Sequence, residues 1–459
     1  MIEKNVKEIR IENDVLVVVP DNLNLMTPYV LEEQQDWLED EIKFVRELIK
    51  PGMRIIDIGA NYGCYTLTMG KLAGSDGRLW AFEPCSSTAD HLQQSIEANG
   101  LDQIQLIRAA LSNRQGEATL STQDNAELNS LTDDNGGVDS ETVPLYRLDD
   151  CMQTYGWKNI DFLKLDAEGE EIRILEGGEK FFRTLSPLVM FELKHGETIN
   201  EGLIQSFRDM GYEPYKFIPG LMMLAPFDMQ EEADPFQLNL FCCKPDRASQ
   251  LQEAGMLTMD EDESELVLSS QDAWVEYLKP CPYTDRLLAQ WDMKPTLPGA
   301  EAYIASLNAY AVAHTVKGKP DSYRCLKAAF IQLIAALDEH ANLPRLLTLA
   351  RIATDLGRRE AALQALNQFI DVLNREQQFE PVEPFLAASE RAANIDPAGQ
   401  LANWCLAQTL AERERLRAFS SYFTEATSLP VLNIIENLNY DDAEMGRRRE
   451  LINRRYAQK

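Results

Sequence analysis

Ile55-Ile56-Asp57-Ile58-Gly59-Ala60-Asn61-Tyr62-Gly63, followed by Leu79-Trp80-Ala81-Phe82-Glu83-Pro84, decides the fold of this chain. The first stretch reads as a short buried strand, led in by Pro51-Gly52 and ended by glycines, as in a parallel sheet. Gly59 and Gly63 remove side chains where the strand turns sharply into a helix, so a ligand can approach the backbone. Gly70 and Gly74 are read as the end of that helix. The second apolar stretch ends on an acid, Glu83. In nucleotide-binding βαβ units an acid at that place accepts hydrogen bonds from ribose hydroxyls.

The spacing Gly59-x-x-x-Gly63 lacks the third glycine of a dinucleotide fingerprint and carries Asp57 and Asn61 in the turn. A pyrophosphate needs the helix N-terminus bare. S-adenosylmethionine has no phosphate, and its amino-acid end needs an anion together with N–H donors, which Asp57 and the loop backbone supply. The motif therefore favours S-adenosylmethionine over NAD. An ordinary α/β turn would explain Gly59 and Gly63, but not the acid at each strand end.

At 459 residues the chain exceeds one typical core, and two or three domains are expected. Its 44 Lys and Arg against 74 Asp and Glu give a net charge of −30, which argues against nucleic acid or anionic membranes as partners. Eight cysteines show no C-x-x-C pair, and Cys242-Cys243 sit in an apolar strand, so they read as core. A reducing cytoplasm fits best. The first residues have no apolar signal core and no stretch reaches membrane-span length, so a soluble, cytoplasmic protein without a membrane span is expected.

Residues 7–19 read as a strand or hairpin, and residues 36–49 as a helix carrying Trp37/Leu38, Glu41/Ile42 and Val45/Leu48/Ile49 on one face. The acids of that stretch read as a solvated helix face. Then come a helix from about Ser87 to Asn99, a third strand over 104–111, and a polar stretch over 112–145 taken as a functional loop or hairpin insertion. Asn129-Ser130-Leu131 lies in its middle, and Asp133 to Gly137 is a turn. Phe162 to Leu165 is the fourth strand, Glu170 to Thr184 a helix, Pro187 to His195 the fifth strand, and a helix follows near 198–210. Glu213–Ile218 and Leu238–Cys243 close the sheet. Alternating strands and helices predict an α/β, doubly wound, mostly parallel sheet. The expected domains are a lead-in over 1–50, the α/β domain over 51–248, a connecting segment over 249–300 and an all-α domain over 301–459. The connecting segment holds the acidic run Asp260 to Glu265 and Pro280, Pro282, Pro295 and Pro298. Leu346 to Leu363 reads as helix, glycine turn and helix, similar to a single tetratricopeptide unit; an α-hairpin bundle is the preferred reading.

Residues from about 27 to 245 resemble the FkbM-type methyltransferases, a branch of the class I S-adenosylmethionine-dependent enzymes. The resemblance rests on Ile56 to Gly63, Phe82-Glu83-Pro84, Asn129-Ser130-Leu131, Lys164-Leu165-Asp166-Ala167-Glu168-Gly169-Glu170-Glu171 and the lead-in Tyr29-Val30-Leu31-Glu32…Trp37…Glu41. It covers about half the chain and says nothing of the C-terminal helices. Ala167 stands where the family usually has Val or Ile. The resemblance implies a seven-stranded, Rossmann-like sheet, O-methylation of sugar or polyketide hydroxyls, and S-adenosylmethionine as cofactor. It also implies that Asp57, Gly59, Asn61 and Gly63 line the methionine end, that Glu83 binds the ribose and that Ser130 approaches the cofactor.

An alcohol acceptor must be aligned and must lose a proton. Candidates at the carboxyl ends of the fourth and fifth strands are Asp166, Glu168, Glu192 and His195, where open sheets bind ligands. The ordinary pKa of His195 suits a base near neutral pH, although a surface histidine at a strand end reads equally well. Asp166 is alternatively a cap for the helix starting near Glu170. Asp166 with Glu192 would suit Mg²⁺ but lack a clear third ligand, so no metal is expected. Lys164 inside an apolar strand has no account at this level. The predicted function is methyl transfer to a hydroxyl, most simply of a sugar or glycan. An NAD-linked oxidoreductase and a non-catalytic protein acting through its helices are the alternatives. The helical region is expected to mediate self-association or to dock a glycosyltransferase-type partner.

Overall fold

The computed structural model describes residues 6–123, 125–132, 140–195, 198–229, 233–259, 272–291, 297–316, 320–376, 378–379 and 381–457. The chain forms two compact units, 1–217 with 238–253, and 218–237 with 254–459.

Seven strands of the first unit lie in one sheet: β1 (Arg54–Ile58), β2 (Arg78–Phe82), β3 (Ile104–Ile107), β4 (Phe162–Leu165), β5 (Leu188–Glu192), β6 (Glu213–Ile218) and β7 (Asn239–Cys243). Their spatial order is 3-2-1-4-5-7-6. The first five run parallel, and β7 runs antiparallel to both β5 and β6. Ile55 and Ile56 of β1 and Phe162, Leu163 and Leu165 of β4 are buried, as a sheet covered on both faces requires. The order reverses between β1 and β4, and such a reversal opens a crevice at the carboxyl ends of the strands. Asp57 on β1 stands in register with Lys164 on β4, so these two charged residues share one place in the sheet's core.

Several elements depart from the sequence reading. The helix after β1 runs Cys64–Ala73, so Gly70 lies inside it and Gly74 ends it. A Cβ on Gly70 would come within 2.5 Å of Ile104 Cδ1, which is why close packing against β3 needs glycine there. The expected third strand divides. The chain bends where Ala109 N–H donates to Ile107 O at 3.0 Å, and Ala110–Leu111 joins a second sheet with Ser140–Tyr146, Gly116–Ser121 and Ser130–Thr132. The polar insertion is thus a small sheet of its own. The expected helix over 170–184 breaks into Glu171–Gly177 and Glu179–Thr184 at Gly178, which is non-helical (φ −122°, ψ 19°) and where a Cβ would meet Leu148 Cδ2 at 2.8 Å. After β5, Lys194–His195 leaves the sheet to pair with Thr198–Ile199, and the next helix is Glu201–Asp209.

The lead-in is a hairpin (Val6–Ile11 with Val15–Pro20), a helix Met26–Gln34 and a second helix that begins only at Glu41 and ends at Leu48. The expected helix over 36–49 is therefore half as long. Gln35 ends the first helix in a left-handed conformation (φ 58°), and the Asp36 carboxylate accepts from Trp37 N–H at 2.8 Å and binds Arg46. Residues 36–40 are left irregular, with consequences for the site below.

The second unit is built of helices, chief among them Ala300–Thr315, Pro320–Glu339, Leu343–Asp355, Arg359–Glu376, Leu401–Arg417, Leu429–Asn437 and Ala443–Ala457. Gly357 (φ 75°) makes the turn read from the sequence between the third and fourth of these. The acidic run Asp260 to Glu265, Pro295 and the turn over 133–137 lie outside the described residues. Among the described residues no helix is long and apolar enough to cross a membrane.

Candidate active site

The ends of β1, β2, β4 and β5 open into one pocket, roofed by residues 126–131 of the insertion and flanked by Trp37 and Glu39 of the lead-in. At the end of β1, Asp57 is fully buried. Its Oδ2 accepts from Thr66 Oγ1 at 2.5 Å, while its Oδ1 has no hydrogen-bond partner. Burial raises its pKa, against the pull of Lys164 and Thr66. Gly59 follows with φ 78°, and a Cβ there would sit 1.7 Å from the Asp166 carbonyl oxygen. Glycine is therefore what lets the β1 turn and the β4 loop touch. Asn61 is also left-handed (φ 49°), and its Oδ1 accepts from Tyr62 N–H at 2.7 Å. Gly63 (φ 95°) then starts the helix Cys64–Ala73.

At the end of β2, Glu83 accepts from Asn61 N–H and Cys85 N–H, each at 2.8 Å. Burial nevertheless pushes its pKa up to about 7. Each oxygen keeps a lone pair for a ligand hydroxyl. The insertion is tied to the lead-in by Met26 N–H, which donates to Asn125 Oδ1 at 2.8 Å, and by a short hydrogen bond from the Thr27 hydroxyl to Glu127. This brings Ser130 to the pocket wall.

At the end of β4, Lys164 Nζ donates to Asp166 Oδ2 at 2.7 Å and lies 5.2 Å from the centre of the Tyr65 ring. Burial works against the ammonium, yet Asp166, Asp57 and Glu39 together hold it above the ordinary lysine pKa. Glu39 accepts from Tyr65 OH at 2.8 Å and from Asn239 Nδ2 at 3.2 Å. Glu168 (φ 48°) and Glu192 both line the pocket, and burial, reinforced by Asp166, pushes the pKa of each up to about 8.

Nine of the ten site residues expected from the sequence thus line one pocket: Asp57, Gly59, Asn61, Gly63, Glu83, Ser130, Asp166, Glu168 and Glu192. The tenth, His195, pairs with Thr198 through its backbone, and its side chain lies outside those described. Asp166 is not a helix cap. The loop before Glu171–Gly177 is closed by Glu171, which accepts from Ala167 N–H at 2.9 Å and Gly169 N–H at 3.2 Å, while Asp166 pairs with Lys164. Among the described residues no group of three or more His, Cys, Asp or Glu could hold a metal ion.

Sequence reasoning missed Glu39, Tyr65, Thr66, Lys164 and Asn239. Lys164 carried a signal, since a cation in an apolar strand needs a buried anion. Glu39 carried none, because Glu39-Asp40-Glu41 looks like the exposed face of a helix that in fact starts later. The expectation of a solvated helix face is corrected for Glu39.

A family model, the methyltransferase FkbM domain, matches residues 57–214. This chain carries an FkbM-type methyltransferase domain. The methyltransferase sdnD of Sordaria araneosa is 26% identical to it over 191 residues, which span 35% of this chain and 68% of that protein. Among solved structures, the methyltransferase FkbM of Methylobacillus flagellatus shows 14% identity and a TM-score of 0.30, covering 49% of this chain and 56% of that one. A SAM-dependent methyltransferase of Aquifex aeolicus shows 13% identity and a TM-score of 0.27, covering 47% and 92%. The FkbM-type domain holds every residue of the pocket except those of the lead-in and the two from 238–239.

Proposed function

We propose that this methyltransferase uses S-adenosylmethionine to methylate a hydroxyl group, most simply that of a sugar or glycan. The observation that carries the reading is the charge of the pocket. Among the described residues its wall holds eight carboxylates (Glu39, Asp57, Glu83, Glu127, Asp166, Glu168, Glu170 and Glu192) and a single cation, Lys164. A pyrophosphate would meet like charge there, which counts against NAD. A sulfonium cofactor meets opposite charge. Asp57 Oδ1, buried and without a partner, suits an ammonium, and N–H groups at the start of helix Cys64–Ala73 suit a carboxylate. Glu83 suits ribose hydroxyls, with Ser130 approaching from the insertion. The bound cofactor would supply an activated methyl group.

The chain's own task is then to align an acceptor oxygen and accept its proton. Alignment is worth about 7–11 kcal/mol and a positioned base roughly 10²–10⁴-fold in rate. Asp166, Glu168 and Glu192 at the ends of β4 and β5 are the bases this arrangement offers, with Lys164 keeping Asp166 in place. Calorimetric titration with S-adenosylmethionine tests the reading, alongside Asp57→Ala and Glu83→Ala. Binding by the wild type that both substitutions abolish is expected. Binding of NAD in its place would overturn the proposal.

A further inference from the structure

The one cation among the pocket's described residues is already committed. Lys164 is paired with Asp166 and faces the Tyr65 ring, and Asp57 Oδ1 still lacks a partner. On the β4–β5 side, Glu168 and Glu192 lie within the fields of Asp166, Glu171, Glu127 and Lys164, and of one another. Lys194, His195 and Glu197 follow β5 in the sequence, and their side chains lie outside those described. Among the described residues three acids, Asp166, Glu171 and Glu127, and one engaged lysine surround this pair, so negative charge is in surplus there.

Resting on the cofactor reading above, the chemistry of transfer gives this surplus a use. The acceptor oxygen forms a bond to the methyl carbon, the S–C bond breaks, and its electron pair stays on sulfur. The acceptor's proton goes to a base. A sulfonium has become a neutral thioether, while the adenosine and amino-acid parts are unchanged. Donor and spent product therefore differ chiefly by one positive charge.

We propose that this pocket tells donor from product by that charge, with Asp166, Glu168 and Glu192 as the residues that set the preference. A pocket that gripped only adenine, ribose and the amino acid would hold both forms alike. A sulfonium facing these three residues would meet a wall whose nearest described cation, Lys164, is already spent on Asp166, and in a water-poor cleft such charges act strongly. The product is held less tightly because carboxyls that ionise against the donor's cation take their protons back once that charge is gone.

The pair also couples binding to protons. Burial and mutual repulsion keep Glu168 and Glu192 largely protonated at neutral pH, with both pKa values at about 8. A bound cation favours their ionised forms, so donor binding releases protons and tightens as pH rises toward 8.5. Donor and thioether share whatever proton exchange Asp57 and Glu83 bring, so the extra pH dependence of the cation is the part that Glu168 and Glu192 supply.

Calorimetry on the full chain with S-adenosylmethionine, S-adenosylhomocysteine, sinefungin and adenosine at pH 6.5 and 8.5 tests this. Sinefungin keeps a positive charge near the sulfur position without a transferable methyl group. At pH 8.5 S-adenosylmethionine and sinefungin should each bind at least about tenfold more tightly than S-adenosylhomocysteine. The gap should narrow at pH 6.5, and comparison of buffers with different ionisation enthalpies should show more proton release with the two cations than with S-adenosylhomocysteine. Glu168→Gln and Glu192→Gln should close most of the gap while leaving adenosine affinity as it was, which shows the pocket intact. Equal affinities for donor and product, tighter product binding, or a gap that both variants leave untouched would overturn the inference. Adenosine binding that persists in those cases keeps the cofactor reading. Failure of all four ligands to bind sinks the cofactor reading and the inference with it.

Discussion

In the helical unit Arg345 is fully buried and meets both carboxylate oxygens of Glu383, at 2.8 and 2.7 Å, while its Nη1 serves the carbonyls of Pro298, Ala336 and His340. Arg351 meets Asp355 at 3.1 Å and Arg415 meets Glu444 at 3.0 Å. Burial alone would raise these acids, but Arg351 beside Asp355, and Arg415, Arg448 and Arg391 beside Glu444, hold both at about 2. In the methyltransferase pocket burial wins instead, and Glu83, Glu168 and Glu192 rise to about 7, 8 and 8. For Asp355 and Glu444 the paired arginines outweigh burial, and for Glu168 and Glu192 burial outweighs Lys164. Glu412, raised beside Arg415, shows that in the helical unit too burial can prevail. A network that brings its own counter-ions is architecture, and one that lacks them is built to receive a charge from outside.

The sharpest way to break this comparison is to remove a counter-ion from the self-sufficient side. Arg345→Met leaves Glu383 buried without its cation and takes a donor from three carbonyls, of which Ala336 O keeps His340 N–H, so unfolding in denaturant should show a loss of about 3–5 kcal/mol. A loss under about 1 kcal/mol would mean that water reaches the pair, and the contrast between the units would collapse.

On the pocket side the largest effect should come from backbone rather than charge. Gly59→Ala forces a Cβ against the Asp166 carbonyl at a left-handed residue, whereas Gly52→Ala, also left-handed (φ 87°), meets nothing within 4 Å. Gly59→Ala should cost about 1–3 kcal/mol beyond Gly52→Ala, and it alone should abolish cofactor binding. Equal costs would show that the β1 turn and the β4 loop can part without harm.

The pH dependence tests the comparison more gently. Carboxyls whose folded pKa is raised bind protons more tightly when folded, so the stability they give is present at low pH and is lost as pH rises. For Glu168 and Glu192 the window runs from the unfolded value of 4.5 to about 8. Asp355 and Glu444 are depressed, so they stabilise above 3.8 and 4.5, respectively, and that contribution is lost as pH falls toward about 2. Hydrogen exchange read unit by unit, and corrected for intrinsic rates, should show protection of the methyltransferase unit falling on the alkaline side. Protection of the helical unit should fall on the acid side. Glu168→Gln and Glu192→Gln should flatten the first slope and leave the second alone.

What the sequence made legible follows the range of the interactions. The ends of β1, β2 and β4 were readable because an apolar run, a glycine and an acid lie within a few residues of one another. Lys164 was visible as an oddity but not explicable, since its register partner Asp57 is 107 residues away and only strand pairing joins them. Glu39 was hidden for a local reason. Gln35 in a left-handed conformation and Asp36 bound to Arg46 delay the helix to Glu41, and no periodicity in the acids announces that. The need for glycine at 178 likewise depends on Leu148, thirty residues earlier in the chain.

The smallest expected effect bears on how Glu39 joins the pocket. Tyr65 does two things: its hydroxyl donates to Glu39 at 2.8 Å, and its ring lies 5.2 Å from Lys164 Nζ. Tyr65→Phe removes only the first. Glu39 keeps Asn239 Nδ2 at 3.2 Å, so the loss should be about 0.5–1.5 kcal/mol of stability. Because the phenol hydrogen bond favours the charged carboxylate, its removal should also raise the Glu39 pKa further, visible by carboxyl NMR. Tyr65→Leu removes the ring as well and should cost roughly 0.5–2 kcal/mol more, with a weakened hold on the lysine. Were the two variants equal in stability, the ring would be no more than filler, and Lys164 would be held by its carboxylates alone. Lys164 would then be freer to serve a ligand, and the contrast with the closed networks of the helical unit would be weaker by that amount.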